Sequence, residues 1–403
     1  HNELNTIPSS VTSLIEMAKR PILLLGAGVS RQCAASVYSS LKKLKMPIMA
    51  TWNAADRYPA VEKNYFGRPN TWGMRYSNVI LQQSDLLIAV GSRLGLQQTG
   101  FNYKEFLPVG KIIHVDLDQA ELDKKTIKKS KKLNIDADYF LRYFLNNFGH
   151  KNHKDWLDYS SMIKSHLPVI EFNQTGKNFI SPFHFVEQVS NLATHDDIII
   201  PCSSGGAFTV TMQTFMQKKK QFIISNKALA SMGYGLSGAI GASIAYPKKR
   251  TILFEGDGGF AQNLQELGTV SINNLNLKIF IFSDQGYASI RATQKNYFNG
   301  NYVGCDESTG LGLPNWELLS KCYNIGYYKL KKNFMSDKNF IKKFTSPGPT
   351  LFVIPIDPKQ TYYPKITSRV TANGMESNPL HLMTPALSDD LSTKVFKYLK
   401  KKK

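Results

Sequence analysis

Apolar and polar positions along this chain fall into short apolar runs separated by stretches of helical periodicity. Residues 21–26 (PILLLG), 47–51 (PIMAT), 86–91 (LLIAVG) and 111–116 (KIIHVD) are strand-sized runs, and a helix is predicted over 32–44. Runs with so little polar alternation lack a solvent face, as in the strands of a parallel sheet covered on both sides. The first domain is therefore predicted to be Rossmann-like. Residues 149–174 turn polar and aromatic and are predicted to form a linker helix rather than core. The alternation then resumes, with strands predicted at 198–202, 222–225, 251–255, 277–283 and 350–356, and helices after Gly206, across 233–245 and over 260–273. Beyond 358 the chain is rich in Pro, Thr and Ser without periodicity until 390–399, which predicts an extended surface tail. The fold class that follows is α/β: two doubly wound domains with mainly parallel sheets, over 1–165 and 166–365, and a tail over 366–403.

Composition narrows the function classes. The 403 residues are 42% hydrophobic and 20% charged, as in a soluble globular protein, and no apolar run approaches the length needed to span a membrane. The formal charge of +20 raises the question of nucleic acid. The lysines gather at 124–132 (KKTIKKSKK), 218–220 and 400–403 without interleaved aromatics or a recognition motif, so solvated faces and a frayed end are expected instead. Cys33, Cys202, Cys305 and Cys322 form no C-x-x-C pair, which argues against a metal knuckle or disulfide framework and suits a reducing cytoplasm. The chain opens on His1 with no basic-then-apolar leader, so no targeting signal is read and the start is expected to be a truncation.

The candidate chemistry centres on Gly256-Asp257-Gly258-Gly259, at the carboxyl end of the strand predicted over 251–255. Its glycines permit a sharp turn that leaves amides facing outward at the start of a helix, an arrangement suited to phosphate. That helix carries Phe260, Leu264, Leu267 and Val270 at spacings of four and three, which gives one buried face. The chain returns through 277–283 and ends on Asp284. A right-handed crossover brings both strand ends to one sheet edge, so Asp257 and Asp284 are predicted neighbours. Two carboxylates beside a ring of amides make a hard oxygen site for Mg²⁺ and a diphosphate. Taken alone, a Gly-Asp-Gly turn equally suits an ordinary surface turn; the spacing to Asp284 is what sharpens it.

The stretch GDGGFAQNLQELGTVSINNLNLKIFIFSDQGYASIRATQ resembles thiamine-diphosphate enzymes of the acetolactate-synthase type. The resemblance implies that Asp257, Asp284 and the carbonyl of Gly286 hold the metal. Ser283-Asp284 stands where the family usually has two asparagines, so Asp284 keeps the oxygen but adds a charge that amides, helix dipoles or a nearby cation must meet. Ser231-Met232-Gly233-Tyr234-Gly235-Leu236 is similar to a second family run, with Met232 in the place of the residue that supports the bent cofactor. Ser203, Ser204 and Gly205 match the loop at the distal diphosphate, and Gly256, Gly258, Gly259, Tyr287 and Ala288 complete the implied contacts.

The first domain resembles the family's middle domain through PILLLGAGV, PIMATWNAAD, YFGRPNTWG, SDLLIAVGSRL and KIIHVDLD. Its Gly26-Ala27-Gly28 lacks the third glycine of a dinucleotide loop, since Arg31 stands there, which weakens a reading as an FAD site. The family's amino-terminal domain, which supplies a glutamate to the cofactor's aminopyrimidine, has no counterpart in this sequence. The chain alone is thus expected to be inactive until a pyrimidine-binding domain, from the parent chain or a separate subunit, completes a homodimer or tetramer. The implied reaction is decarboxylation of a 2-oxo acid such as pyruvate, followed by transfer of the remaining fragment to a second carbonyl. Residues 368–387 (SRVTANGMESNPLHLMTPAL) resemble synthase relatives, some of them in surface-sugar pathways. A simple 2-oxo-acid decarboxylase and a non-catalytic binding subunit are the alternative readings.

Overall fold

The computed structural model describes residues 7–127, 130–202, 204–372 and 374–399. It has two compact units, one formed by residues up to 171 together with those from 363 onward, the other by 172–362. Among the described residues, no helix is long and apolar enough to cross a membrane.

The first unit is built on a five-stranded parallel sheet in the order β2-β1-β3-β4-β5. Its strands are β1 (Pro21–Leu25), β2 (Ile48–Ala50), β3 (Leu86–Val90), β4 (Lys111–Asp116) and β5 (Ser130–Asn134). Alternate residues serve opposite cores: Leu23, Leu25, Ile88, Val90, Ile113 and Val115 pack with Phe140 and Phe144, while Ile22, Leu24, Leu87, Ala89 and Ile112 pack with Trp156 and Ile163. Both faces being buried explains the continuous apolar runs. The helix predicted over 32–44 is divided into Arg31–Ser36 and Tyr38–Lys43 at Val37, whose ψ of 7° leaves the helical range. The sequence reading missed β5: its Lys131 and Lys132 are exposed on an edge strand that buries Leu133. Charge on an open edge discourages pairing with other chains. Of the remaining lysines in that cluster, Lys128 and Lys129 lie outside the described residues, as do Lys400–Lys403.

Two segments expected at the surface are structural. The helix Lys154–His166, expected as a linker, buries Trp156 and Ile163, and Trp156 donates through Nε1 to the Pro21 carbonyl at 3.0 Å. The carboxyl-terminal segment is not a loose tail, because Leu380 and Val395 are buried in the same core and Met383 is buried as well. It is held by the helix Arg75–Gln82, every residue of which is buried despite its polar sequence. Arg75 grips Glu171 with two hydrogen bonds, 2.6 and 2.7 Å, and donates to the Met383 carbonyl at 3.1 Å. Just past that helix, Gln83 donates to the Val395 carbonyl at 2.8 Å and accepts from the Tyr398 amide at 2.9 Å.

The second unit holds a six-stranded parallel sheet in the order β10-β11-β9-β8-β6-β7. The strands are β6 (Ile198–Ile200), β7 (Phe222–Ile223), β8 (Thr251–Gly256), β9 (Leu277–Ser283), β10 (Gly326–Lys329) and β11 (Thr350–Pro355). One face carries interlocked aromatics, with Phe280 at 5.1 Å from Phe185 and 4.8 Å from Phe352 between ring centres. The other packs Leu253, Ile279, Ile281 and Val353 against Leu236, Ala239 and Leu267. The helix predicted over 260–273 is broken into Asp257–Phe260, a 3₁₀ segment Ala261–Glu266 and Leu267–Ile272, with Asn263 at φ −147°. Of the face that the periodicity predicted, Phe260, Leu267 and Val270 are nonetheless buried, and Leu264 is half-buried against the same core. Lys218 does not simply face solvent: its Nζ donates to the carbonyls of Ser190 (3.0 Å), Asn191 (3.1 Å) and Ala193, closing the end of the helix Pro182–Leu192.

In this sheet β6 and β8 are adjacent although β7 comes between them in sequence. Connections leave the sheet in opposite directions there, which opens a crevice at the carboxyl ends of the strands.

Two outcomes test this account. Removing residues 380–403 is expected to lower the melting temperature by roughly 10 °C or more, since several fully buried apolar side chains are lost; an unchanged melt would return the segment to the surface. Lys278, without exposed surface in β9, donates to the carbonyls of Ser346 (2.6 Å) and Gly348, and burial pushes it down to about 8 from 10.5. Between those two values the unfolded chain holds a proton that the folded chain has released, so stability rises with pH. Lys278→Met should flatten the stability profile from about pH 8 to 10.5, a contribution on the order of 3 kcal/mol, measured by denaturant unfolding.

Candidate active site

The turn after β8 and the loop after β9 are joined by one buried carboxylate. Asp257 has no exposed surface; its Oδ1 accepts from the Gly258 amide at 2.7 Å, and its Oδ2 accepts from the amides of Gln285 at 2.9 Å and Gly286 at 3.2 Å. The two strand ends thus meet as the crossover argument required. The loop bends through Gln285 at φ +68° and Gly286 at φ +131°. A Cβ at Gly286 would lie 2.3 Å from the Cys305 carbonyl oxygen, so only glycine fits. The loop is anchored further by the Tyr287 amide, which donates to that same carbonyl at 2.8 Å. The Tyr287 ring covers Gly258, and its hydroxyl accepts from Gln262 at 2.7 Å.

Beside this junction lies a cavity of about 280 Å³. Ser204, Gly205, Met232, Gly256, Gly258, Gly259, Asp284, Gly286, Tyr287 and Ala288 line it. Asp257 stands behind the wall, Ser231 lies outside the lining and is exposed, and Ser203 is outside the described residues. Two helices, Gly205–Thr214 and Ala288–Tyr297, begin at the cavity, and neither has a side-chain cap. Their first-turn amides and positive dipole ends favour an anion there.

The acidic groups are unevenly satisfied. Asp284 is only 7% exposed, and its Oδ1 has no hydrogen-bond partner. Burial, then the charge of Asp257, pushes Asp284 well above the usual carboxylate range, while burial pushes Asp257 up to about 6. The Gly286 carbonyl accepts from the Ala288 amide at 3.2 Å and keeps a second lone pair. Among the described residues, no three His, Cys, Asp or Glu side chains cluster to hold a metal. A cation here would depend on two carboxylates, a carbonyl and oxygens brought by a ligand, the set that suits Mg²⁺.

Two further residues were missed in the sequence. Glu255, pushed up to about 8 by burial, accepts from the Gly256 amide at 3.1 Å. Its carboxyl fills the space that a Cβ would need at both Gly235 (2.0 Å) and Gly259 (2.8 Å), so it joins the two glycine-rich runs. An acid ending an apolar strand was the available signal. Tyr362 has a buried hydroxyl without a partner, 2.9 Å from where a Cβ on Gly206 would sit. Nothing in its local sequence marks it.

Comparison with known proteins assigns both units to one family. Residues 204–354 match the C-terminal TPP binding domain of thiamine pyrophosphate enzymes, and residues 9–143 match their central domain. The chain belongs to this family of thiamine-diphosphate enzymes, and its relatives there are acetolactate-synthase-like. It is 27% identical to the acetolactate synthase isozyme 1 large subunit of Escherichia coli (strain K12), covering 88% of this chain and 61% of that protein. Similar values hold for the acetolactate synthase large subunit of Cyanidium caldarium (27%, covering 87% and 60%) and the chloroplastic acetolactate synthase 1 of Zea mays (27%, covering 89% and 57%). The chain spans about six-tenths of the length of these relatives.

Within the family's central domain, the Gly26-Ala27-Gly28 loop spends its amides on packing. Gly26 donates to the Val90 carbonyl and Gly28 to that of Gly91, each at 2.8 Å, and a Cβ on Gly26 would lie 2.1 Å from the Gly91 oxygen. These glycines bring two strand ends together. In the thiamine-diphosphate-binding domain, Met232 is 48% exposed on the cavity wall, which sets it apart from a packed core methionine. Met232→Ala should therefore shift the ligand-free melting temperature by less than about 2 °C, where a buried methionine would cost about 2–5 kcal/mol. The same change should slow turnover in a polypeptide that carries both halves of the site. A large melting shift with an unchanged rate would make Met232 a structural residue.

Proposed function

We propose that this chain is the diphosphate-binding part of a thiamine-diphosphate- and Mg²⁺-dependent carboligase that acts on a 2-oxo acid such as pyruvate. The observation that carries this reading is the orphaned Oδ1 of Asp284, buried beside a second carboxylate at a cavity where two uncapped helices begin. A buried carboxyl oxygen without a hydrogen-bond partner in that position offers a ligand to a cation, and the amides beside it offer donors to an anion. A magnesium diphosphate supplies both.

The amides opening Gly205–Thr214 and Ala288–Tyr297, with those of the turn at Gly258, would hold the diphosphate. Asp284, the Gly286 carbonyl and Asp257 would hold Mg²⁺, with Asp257 also keeping the loop in place. Met232 would support the bent cofactor from the wall. When bound, thiamine diphosphate supplies a carbon nucleophile for the 2-oxo acid carbonyl and an electron sink for the loss of CO₂. The residues of this chain bind and orient that group and exclude water from it. The glutamate that serves the aminopyrimidine is proposed to come from a pyrimidine-binding domain, in the parent polypeptide or a separate subunit, within a homodimer or tetramer. The resemblance of residues 368–387 to synthase relatives supports carboligation, with surface-sugar synthesis as one setting and the cytoplasm as its place. FAD is not required by this chemistry, and the Gly26-Ala27-Gly28 amides are already engaged.

The test is calorimetry with thiamine diphosphate and Mg²⁺ on a polypeptide containing both halves. Asp284→Asn should retain binding, because the amide still offers an oxygen at the same reach. Asp284→Ala should weaken it at least tenfold, about 1.4 kcal/mol or more. Equal binding by the alanine variant and the native protein would remove Asp284 from the metal site. Product analysis with pyruvate distinguishes a longer hydroxy-ketone, the carboligase outcome, from a released aldehyde.

A further inference from the structure

Asp284 brings a charge into a buried site where a neutral amide of the same reach would also offer an oxygen. The side chain placed to answer that charge is Arg291. Its side chain is nearly buried, 12% exposed, and its Nη2 lies 3.6 Å from the orphaned Oδ1 of Asp284. It does not close a hydrogen bond with that oxygen. Its donors go instead to the loop backbone: Nη2 to the Asp284 carbonyl at 2.6 Å, and Nη1 to the carbonyls of Gln285 at 3.2 Å and Cys305 at 3.3 Å. The planar fork of an arginine can serve three acceptors at once, which an ammonium on a flexible stem does less well.

Helix preference does not account for this residue. Arg291 lies in the opening turn of Ala288–Tyr297, where the dipole disfavours a cation. The loop accounts for it. Gln285 has φ +68°, a conformation that a residue with a side chain keeps only where the surroundings enforce it, and Gly286 follows at φ +131°. Asp257 accepts the amides of this loop from one side, and Arg291 donates to its carbonyls from the other.

We propose that Arg291 is a positioning residue of the diphosphate site, one that fixes the 284–286 loop by its carbonyls and cancels the charge Asp284 introduces. This deepens the reading given above and rests on it. Once Asp284 is ionised, as a bound cation requires, it and Arg291 together contribute no net charge, so a bound diphosphate meets no added repulsion from the carboxylate. The free Oδ1 stays available to a cation because the guanidinium is tied to the backbone.

The experiment is a four-variant cycle on this chain: native, Arg291→Met, Asp284→Asn and the double variant, with Arg291→Lys as a charge-keeping control. Ligand-free melting is measured first, at alkaline pH where Asp284 is ionised. Arg291→Met should lower the melting temperature by roughly 5–10 °C with aspartate at 284, and by half of that or less with asparagine, because the uncompensated carboxylate is gone. Arg291→Lys should fall between the native chain and Arg291→Met. Equal losses in both backgrounds would make Arg291 a backbone clamp with no charge role, and no loss in either would overturn the proposal altogether. Titration with Mn²⁺ and inorganic pyrophosphate follows. Arg291→Met should bind the pair at least about tenfold more weakly, and Asp284→Asn should restore most of that loss. Coupling in the melts without pyrophosphate binding by any variant would leave the Asp284–Arg291 pairing standing and refute the diphosphate site itself.

Discussion

The site depends on a carboxylate that has no contact with solvent. Asp257 accepts three backbone amides, one from its own turn and two from the loop after the neighbouring strand, and so welds two segments that are 28 or 29 residues apart. A buried carboxylate short of partners would cost several kcal/mol, so the loop must present its amides, and it can do so only with Gln285 and Gly286 in left-handed conformations. The open lone pair of Asp284, the Tyr287 ring over Gly258 and the grip of Arg291 all follow from the loop held in that shape.

Sheet order decides what surrounds this junction. Because β6 lies beside β8, the turn after β8 is flanked on one side by the start of Gly205–Thr214 and on the other by the start of Ala288–Tyr297. Helix starts converge on one cavity, and their dipoles add where the carboxylates would otherwise make the region uniformly negative. Attraction for an anion and attraction for a cation therefore coexist within a few residues. Glu255 fixes the relation between them by occupying the gap between Gly235 and Gly259.

The first unit shows the same use of buried polarity for another end. The helix Arg75–Gln82 carries arginine, serine, asparagine and glutamine into a core because each finds a partner, several of them in the carboxyl-terminal segment. A polar helix without those partners would be a solvent face. The segment and the helix explain each other, and neither is intelligible alone.

The sequence by itself determined the α/β class, most of the strands and the proximity of Asp257 to Asp284. These follow from local apolar runs and from the handedness of a parallel crossover, which depend on short stretches of chain. The glycines at 256, 258 and 259 were legible for the same reason, since turn chemistry is local, whereas Gly286 came only from the family resemblance. Tertiary structure alone decided the rest. The lysine-rich β5 is a strand because it pairs with β4, and the final segment is core because a distant helix offers it hydrogen bonds. Arg291, Glu255 and Tyr362 entered the site through backbone carbonyls, facing glycines and a hydroxyl left without a partner. Such relations join residues that no periodicity or spacing connects, so they become visible only when the chain has folded.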